Sequence, residues 1–185
     1  MSIPARAGRA LVDLGKLSRA QRALTLVIAV APVLVWTCSL PAGAAFSLWT
    51  LLVVVVLTLF TVLEPDSHAG LSNVLFLGWY WFSHVFTHAG DPVSRWALGA
   101  GLCLLAFHTA TAARATAPGT ADFDQAFWRR WLSRVAIIAV GTGCVWGLTA
   151  ALASRQPAPE GLILAAFAVL VGGTTYARWA IVRDR

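Results

Sequence analysis

Six apolar segments divide the chain, and the basic residues are shared very unevenly among the stretches between them. The segments cover residues 23–40, 44–63, 71–88, 96–113, 132–153 and 161–180. Each is close to the roughly 20 mostly apolar residues that a helix needs to cross a bilayer. Lipid offers no hydrogen bonds, so a spanning segment must bond its own backbone. The pattern therefore predicts an all-α fold, a polytopic transmembrane bundle of about six helices.

Composition agrees with a membrane protein and excludes an ordinary soluble domain. Apolar residues make up 58% of the chain and charged residues only 12%, whereas soluble domains carry about 25% charged residues. The net charge of +6 is carried by residues at segment ends, where basic groups meet anionic lipids. This placement argues for the lipid bilayer as a partner and against nucleic acid.

The basic residues also predict an orientation. Six crossings put twelve of the 14 Lys and Arg residues on one side, with only Arg95 and Arg155 opposite. The positive-inside rule then places both termini in the cytoplasm, and we expect the bacterial inner (plasma) membrane. Residues 1–22 would form a basic cytoplasmic tail with a short amphipathic helix, and residues 181–185 a cytoplasmic C-terminus. The twelve are Arg6, Arg9, Lys16, Arg19, Arg22, Arg114, Arg129, Arg130, Arg134, Arg178, Arg183 and Arg185.

The third segment carries a candidate intramembrane polar stripe. Helical spacing places several polar side chains on one face, which should meet protein or water because lipid contact is costly. His84 and His88 have a spacing that suits a metal ion, but His108 on the fourth segment lies at a different depth from His84. We therefore expect no metal and no cofactor, with structural hydrogen bonding favoured over proton or solute handling. The candidates are Asn73, Tyr80, His84, His88, Asp91 and His108.

The connection between the second and third segments is acidic although it should face the cytoplasm. It contains Glu64, Asp66 and His68. Acidic residues contribute little to topology, so they do not contradict the orientation. Asp66 or Ser67 is predicted to cap the third helix. The functional alternative is recognition of a basic partner, or a cation entrance beside His108.

Two further patterns concern the second half of the chain. Asp122 and Gln125 have the spacing of a capping box, and Phe123, Phe127 and Trp131 then share one face, which predicts an interfacial anchor or a partner-docking surface. Small residues recur every four positions on the last three segments and predict contacts among helices four, five and six, or a homo-oligomer seam. They are Ala106 and Ala110, then Gly143, Gly147 and Ala151, then Ala168 and Gly172.

Ordinary catalysis has no support in the sequence. It contains no Gly-rich phosphate loop, no GxSxG and no HExxH motif. We therefore expect a protein that is not an enzyme, most simply an accessory or scaffold subunit of a membrane complex. Two alternatives stay open: a small transporter or channel-like protein for protons, cations or a small solute, and a haem or metal-binding membrane protein.

One segment resembles a known group of proteins. The turn Asp66-Ser67-His68-Ala69-Gly70 and the Trp- and Tyr-rich helix after it resemble small actinobacterial-type integral membrane proteins of unassigned function. Some of these are encoded beside a MoxR-type AAA+ ATPase. The resemblance covers about residues 64–84 and the general architecture. It implies a membrane or cytoplasmic protein partner, with an AAA+ ATPase system as the first candidate, and carries over no catalytic residues.

Overall fold

In a computed structural model, the chain is described at residues 15, 17–65, 67–86, 94–116 and 122–153. These residues form helices joined by short connections and contain no strand. Residues 1–142 form one compact unit and residues 143–185 another. The helices are α1 (Arg19–Ser39), α2 (Leu48–Leu63), α3 (Ala69–Trp81), α4 (Arg95–Ala115) and α5 (Gln125–Ala153), and α3 continues into a π-helical turn, Phe82–Phe86.

The helical class predicted from the sequence is confirmed for the described residues. Three helices are long and apolar enough to cross a bilayer: α1, α4, and α5 over Gln125–Ala151. Helix α2 is apolar but has 16 residues, about 24 Å of helix, and the α-helical part of α3 has 13. The predicted sixth segment, residues 161–180, lies outside the described residues. So do most of the predicted tail, residues 1–22, and the C-terminus, residues 181–185.

Serine and aspartate side chains determine where most of the helices begin. Ser18 Oγ accepts a hydrogen bond from the Gln21 amide at 3.2 Å, and Ser47 and Ser94 do the same at the starts of α2 and α4. Such bonds satisfy amides that have no partner within the helix. At α5 the cap is Asp124, whose Oδ1 accepts from the Phe127 amide at 2.6 Å.

This cap corrects the predicted start of α5. The sequence pointed to a capping box on Asp122 and to an apolar segment from residue 132, but the helix begins at Gln125, directly after Asp124. A hydropathy pattern finds only the apolar part of a helix. Residues 125–131 include two arginines and are helical because their cap and their aromatic packing stabilise them.

Two clusters of buried side chains show how the helices run. The first cluster joins Val35 and Trp36 of α1 to Val54, Leu77, Tyr80 and Ala100 of the next three helices. The second cluster joins Leu24, Ile28 and Ala31 of α1 to Phe107, Ala110 and Ala113 of α4, with Val62 and Val74 packed against it. Helix α1 therefore runs from the second cluster to the first, and α4 runs back.

Helices α2 and α3 continue this alternation. Along α2, Val54 belongs to the first cluster and the later residue Val62 packs against the second. Along α3 the order is reversed, since Val74 packs against the second cluster and the later residue Leu77 belongs to the first. The four helices thus run alternately up and down. Arg19, Arg22 and Arg114 lie beyond the second cluster, at what we call the basic end of the bundle, whereas Arg95 begins α4 at the other end.

Ala110 of α4 is buried in the second cluster, which joins α4 to α1 and against which Phe127, Trp128 and Trp131 of α5 also pack. The contact with α1 was not predicted from the sequence, and the predicted contact with helix six lies outside the described residues. Periodic small residues allow close packing but do not identify the neighbour. A methyl group placed on Gly143 or Gly147 would meet no atom within 4 Å in the described part of the chain. Ala168 and Gly172 lie outside the described residues.

The aromatic residues around the start of α5 pack into the bundle. Phe123, Phe127, Trp128 and Trp131 lie against the second cluster. The Phe123 and Phe127 rings stack at 4.2 Å between centroids, and the Trp128 and Trp131 rings meet edge to face at 5.5 Å. Phe123, Phe127 and Trp131, which the sequence placed on one face, therefore pack against the same cluster, together with Trp128. The neighbours of this face are core side chains of α1 and α4. The predicted role of this face as an interfacial anchor or partner-docking surface stays a prediction.

Candidate functional site

Asn73 joins α3 to α2 inside the bundle. It is completely buried on the face of α3 that also buries Gly70, Leu77 and Tyr80. Its Nδ2 donates a hydrogen bond to Thr58 Oγ1 at 3.0 Å. Its Oδ1 is buried with no hydrogen-bond partner among the described residues. Because interhelical bonds of this kind contribute about 0.6 kcal/mol on average in membrane proteins, Asn73 orients the two helices more than it stabilises them.

Tyr80 makes the second polar contact of this face. Its ring is buried in the first cluster, and its hydroxyl donates to the Ala45 carbonyl oxygen at 3.2 Å. Ala45 lies in the connection between α1 and α2, whose Ala44 amide bonds the Ser39 carbonyl at 3.0 Å. Tyr80 thus fixes the end of α3 to the turn that joins the first two helices.

His84 is oriented by its own helix. Its ring is exposed and stacks on the Tyr80 ring at 4.4 Å between centroids. Its Nδ1 lies 3.2 Å from the Tyr80 carbonyl oxygen and 2.9 Å from Ser83 Oγ. A π-helical turn widens the backbone and alters its regular bonding. Here the Ser83 hydroxyl donates to the Trp79 carbonyl oxygen at 2.8 Å. The side chains of Ser83 and His84 thus contact carbonyl groups of Trp79 and Tyr80, the residues just before the π-helical turn.

The predicted polar stripe therefore separates into parts with different surroundings. Asn73 and Tyr80 face the neighbouring elements, whereas His84 is exposed. His108 is exposed on α4 and is next in sequence to Phe107, which belongs to the second cluster. Tyr80 belongs to the first cluster, so His108 does not lie beside Tyr80 and His84. No group of three His, Cys, Asp or Glu side chains placed to hold a metal occurs among the residues described. His88 and Asp91 lie outside them.

The acidic connection between α2 and α3 is a tight turn. The Ser67 amide donates to the Glu64 carbonyl at 3.0 Å, and Ser67 Oγ accepts from the Ala69 amide at 3.3 Å. The residue at the N-cap of α3 is His68, which makes no side-chain cap hydrogen bond. The predicted cap at Ser67 is therefore wrong, although Ser67 Oγ bonds the first amide of α3 from one residue earlier. Glu64 and His68 are exposed, and Asp66 lies outside the described residues.

A close approach of three helices surrounds Gly70. A methyl group at Gly70 would lie 3.3 Å from Thr111 Cγ2 of α4 and 3.4 Å from Thr61 Cγ2 of α2. Each threonine hydroxyl bonds a carbonyl of its own helix, Leu57 for Thr61 and Phe107 for Thr111. The methyl groups are therefore the parts that approach Gly70, and a larger side chain there would require the two threonines to shift.

One buried charged residue was missed by the sequence analysis. Arg114 was assigned to the loop after the fourth segment, but α4 continues to Ala115 and Arg114 is only 8% exposed. The sequence does hold a signal, since Phe107 and Ala110 precede Arg114 by seven and four residues and therefore share its face. Hydropathy alone assigns an arginine to the surface.

Comparison with known proteins adds no assignment. No protein-family model, no curated protein and no solved structure matches the chain.

Proposed function

We propose that this chain is a non-enzymatic accessory or scaffold subunit of a complex in the bacterial inner membrane. In this proposal it crosses the membrane six times, and both termini are cytoplasmic. The alternating directions of α1 to α4 support the crossing pattern. They gather Arg19, Arg22 and Arg114 at one end and leave Arg95 at the other, which is the asymmetry that the positive-inside rule requires.

The observation that carries the accessory role is the bonding of the polar face of α3. A transport path needs polar groups that meet water or solute. Asn73 instead donates to Thr58, and Tyr80 donates to the Ala45 carbonyl. These side chains hold helices together, so a structural role accounts for them. Transport and haem or metal binding remain hypotheses from the sequence, and no contact in the described residues favours either.

The outer surface supports association with a partner in the membrane. None of residues 125–142 of α5 is buried, and Ile137 is 71% exposed. The other exposed apolar side chains of this stretch are Leu132, Ile138 and Val140. Lipid or another apolar helix can cover such a face. The resemblance of residues 64–84 suggests that an AAA+ ATPase system would act with the resulting complex.

The proposed topology predicts a specific labelling pattern. In a chain whose cysteines Cys38, Cys103 and Cys144 are replaced by alanine, we introduce Phe46→Cys or His68→Cys. Both positions are exposed, in the connections before and after α2. A membrane-impermeant maleimide should label position 46 in intact spheroplasts and position 68 only after permeabilisation. The reverse pattern would invert the topology, and labelling of both positions from outside would exclude a crossing by α2.

The accessory role predicts a cross-linked partner at the exposed face of α5. A photoreactive phenylalanine analogue replaces Ile137 in the tagged full-length chain, which is irradiated in native membranes and analysed by mass spectrometry. We expect one defined protein adduct, because a subunit meets the same neighbour in every complex. The control carries the analogue at Phe107, which is fully buried, and should give no adduct with another protein. Lipid adducts alone at position 137, together with a purified chain free of stoichiometric partners, would contradict the accessory role.

A further inference from the structure

Arg114 is a buried cation for which the described residues provide no counter-ion. Its Nη1 is buried without a hydrogen-bond partner among them. The described carboxylates, those of Glu64, Asp122 and Asp124, are all exposed, and Asp124 is engaged as the cap of α5. Burying an unpaired charge costs several kcal/mol in free energy. A negative group supplied from outside the chain would remove most of that cost.

The surroundings of Arg114 favour an anion. The basic end also carries Arg19 and Arg22 at the start of α1, and both are exposed. Arg22 Nε donates to the Leu17 carbonyl at 3.0 Å, which anchors that side chain at the same end. A guanidinium binds phosphate oxygens in a bidentate geometry that a lysine cannot reproduce. A phosphate group therefore fits the charge and the hydrogen-bonding capacity of this end.

An apolar groove on the same helix pair indicates what the phosphate is attached to. The groove lies between α1 and α4, has a volume of about 420 Å³, and is lined by apolar side chains that include Leu26, Val30, Leu34, Leu102, Cys103 and Ala106. Among the groove residues of α4, Cys103 precedes Arg114 by eleven residues, which is about three helical turns, and therefore lies on nearly the same face, whereas Leu102 and Ala106 lie further round the helix. A molecule bound at both places needs an anionic head and an apolar chain about 16 Å long.

We propose that Arg114 binds the phosphate of an anionic phospholipid, and that one acyl chain of this lipid lies in the groove between α1 and α4. The lipid supplies a counter-charge that none of the described residues provides at the basic end, and it covers the apolar groove. It acts as a structural lipid of the bundle. The proposal does not depend on the accessory role, since lipid binding by the isolated chain is measured without any partner.

The test measures lipid binding to the purified full-length chain by native mass spectrometry and thermal unfolding in detergent. Phosphatidylglycerol, phosphatidylcholine and inorganic phosphate are added separately. We expect phosphatidylglycerol to bind and to raise the unfolding temperature, and the other two additives to do neither. Arg114→Gln should weaken phosphatidylglycerol binding about tenfold or more, because a hydrogen-bonded charge contributes roughly 1.5–3 kcal/mol.

Three variants make the result decisive. Arg129→Gln, at an exposed position of α5, should leave phosphatidylglycerol binding within about twofold of the unaltered chain, since an exposed charge contributes little. Arg114→Lys should fold and bind phosphatidylglycerol with intermediate affinity, because lysine keeps the positive charge but cannot form the bidentate hydrogen bonds of a guanidinium. Ala106→Phe fills the groove and should weaken lipid binding while Arg114 is unchanged.

Several outcomes would overturn the proposal. If phosphatidylcholine binds as tightly as phosphatidylglycerol, the charge of the lipid plays no part. If Arg114→Gln and Arg129→Gln weaken phosphatidylglycerol binding equally, the lipid is attracted by the overall positive charge and not by Arg114. An equal rise in unfolding temperature with inorganic phosphate would assign Arg114 to a free anion instead of a lipid. If Ala106→Phe binds phosphatidylglycerol as well as the unaltered chain does, the acyl chain is not in the groove.

Discussion

Phe107→Ala is expected to lower the free energy of unfolding by about 3–5 kcal/mol, the usual cost of truncating a buried phenylalanine. Phe107 is fully buried in the second cluster, among Leu24, Ile28 and Ala110. Removing its ring leaves a cavity between α1 and α4 and loses packing contacts that lipid cannot replace inside the bundle. Reversible unfolding in mixed micelles with increasing denaturing detergent measures the change.

The matched control for this prediction is Phe60→Ala on α2. Phe60 is 57% exposed, so its ring meets lipid or detergent, and its removal creates no cavity. We expect a change of less than about 1 kcal/mol. Similar losses for both phenylalanines would show that apolar surface area, and not internal packing, controls the stability of this bundle.

Gly70→Val is expected to destabilise the bundle by about 1–3 kcal/mol, the typical cost of overpacking. The first carbon of the new side chain would already lie 3.3 Å from Thr111 Cγ2 and 3.4 Å from Thr61 Cγ2, and valine adds two further methyl groups. The threonine side chains must therefore shift to accommodate it. The same unfolding assay detects the loss.

Gly78→Val provides the comparison on the same helix. A methyl group at Gly78 would meet no atom within 4 Å in the described part of the chain, and valine has a slightly higher helix propensity than glycine. We expect Gly78→Val to leave stability unchanged or to raise it by a few tenths of a kcal/mol. If Gly70→Val is as stable as Gly78→Val, the close approach of α2, α3 and α4 at Gly70 does not exist in the folded protein.

The polar groups of α3 show why a spacing pattern is insufficient to predict a site. The periodicity correctly placed Asn73 and Tyr80 on one face, and both are buried. The same periodicity included His84, whose ring stacks on the Tyr80 ring but is exposed. A spacing pattern identifies the side chains that share a face, but it does not show where along the helix the neighbouring elements stop covering that face.

Arg114 illustrates the opposite difficulty. Counting basic residues at segment ends predicts that one end of the bundle is basic, and among the described residues Arg19, Arg22 and Arg114 lie at one end and Arg95 at the other. The count treats every arginine as solvated. Whether an arginine at the end of a helix reaches water depends on what packs over it, and here Arg114 is 92% buried while Arg129 and Arg130 are exposed.

The sequence by itself determined the helical class and the approximate positions of the first five helices. Both follow from local physics, since an apolar segment of sufficient length can satisfy its backbone in lipid only as a helix. Only the tertiary structure decided which helices are neighbours. It places Ala110 in one buried cluster with Leu24 and Ile28 of α1, joins Asn73 to Thr58 and buries Arg114. These outcomes depend on contacts between residues far apart in the chain, and lipid-facing and protein-facing surfaces are equally apolar, so hydropathy cannot distinguish them.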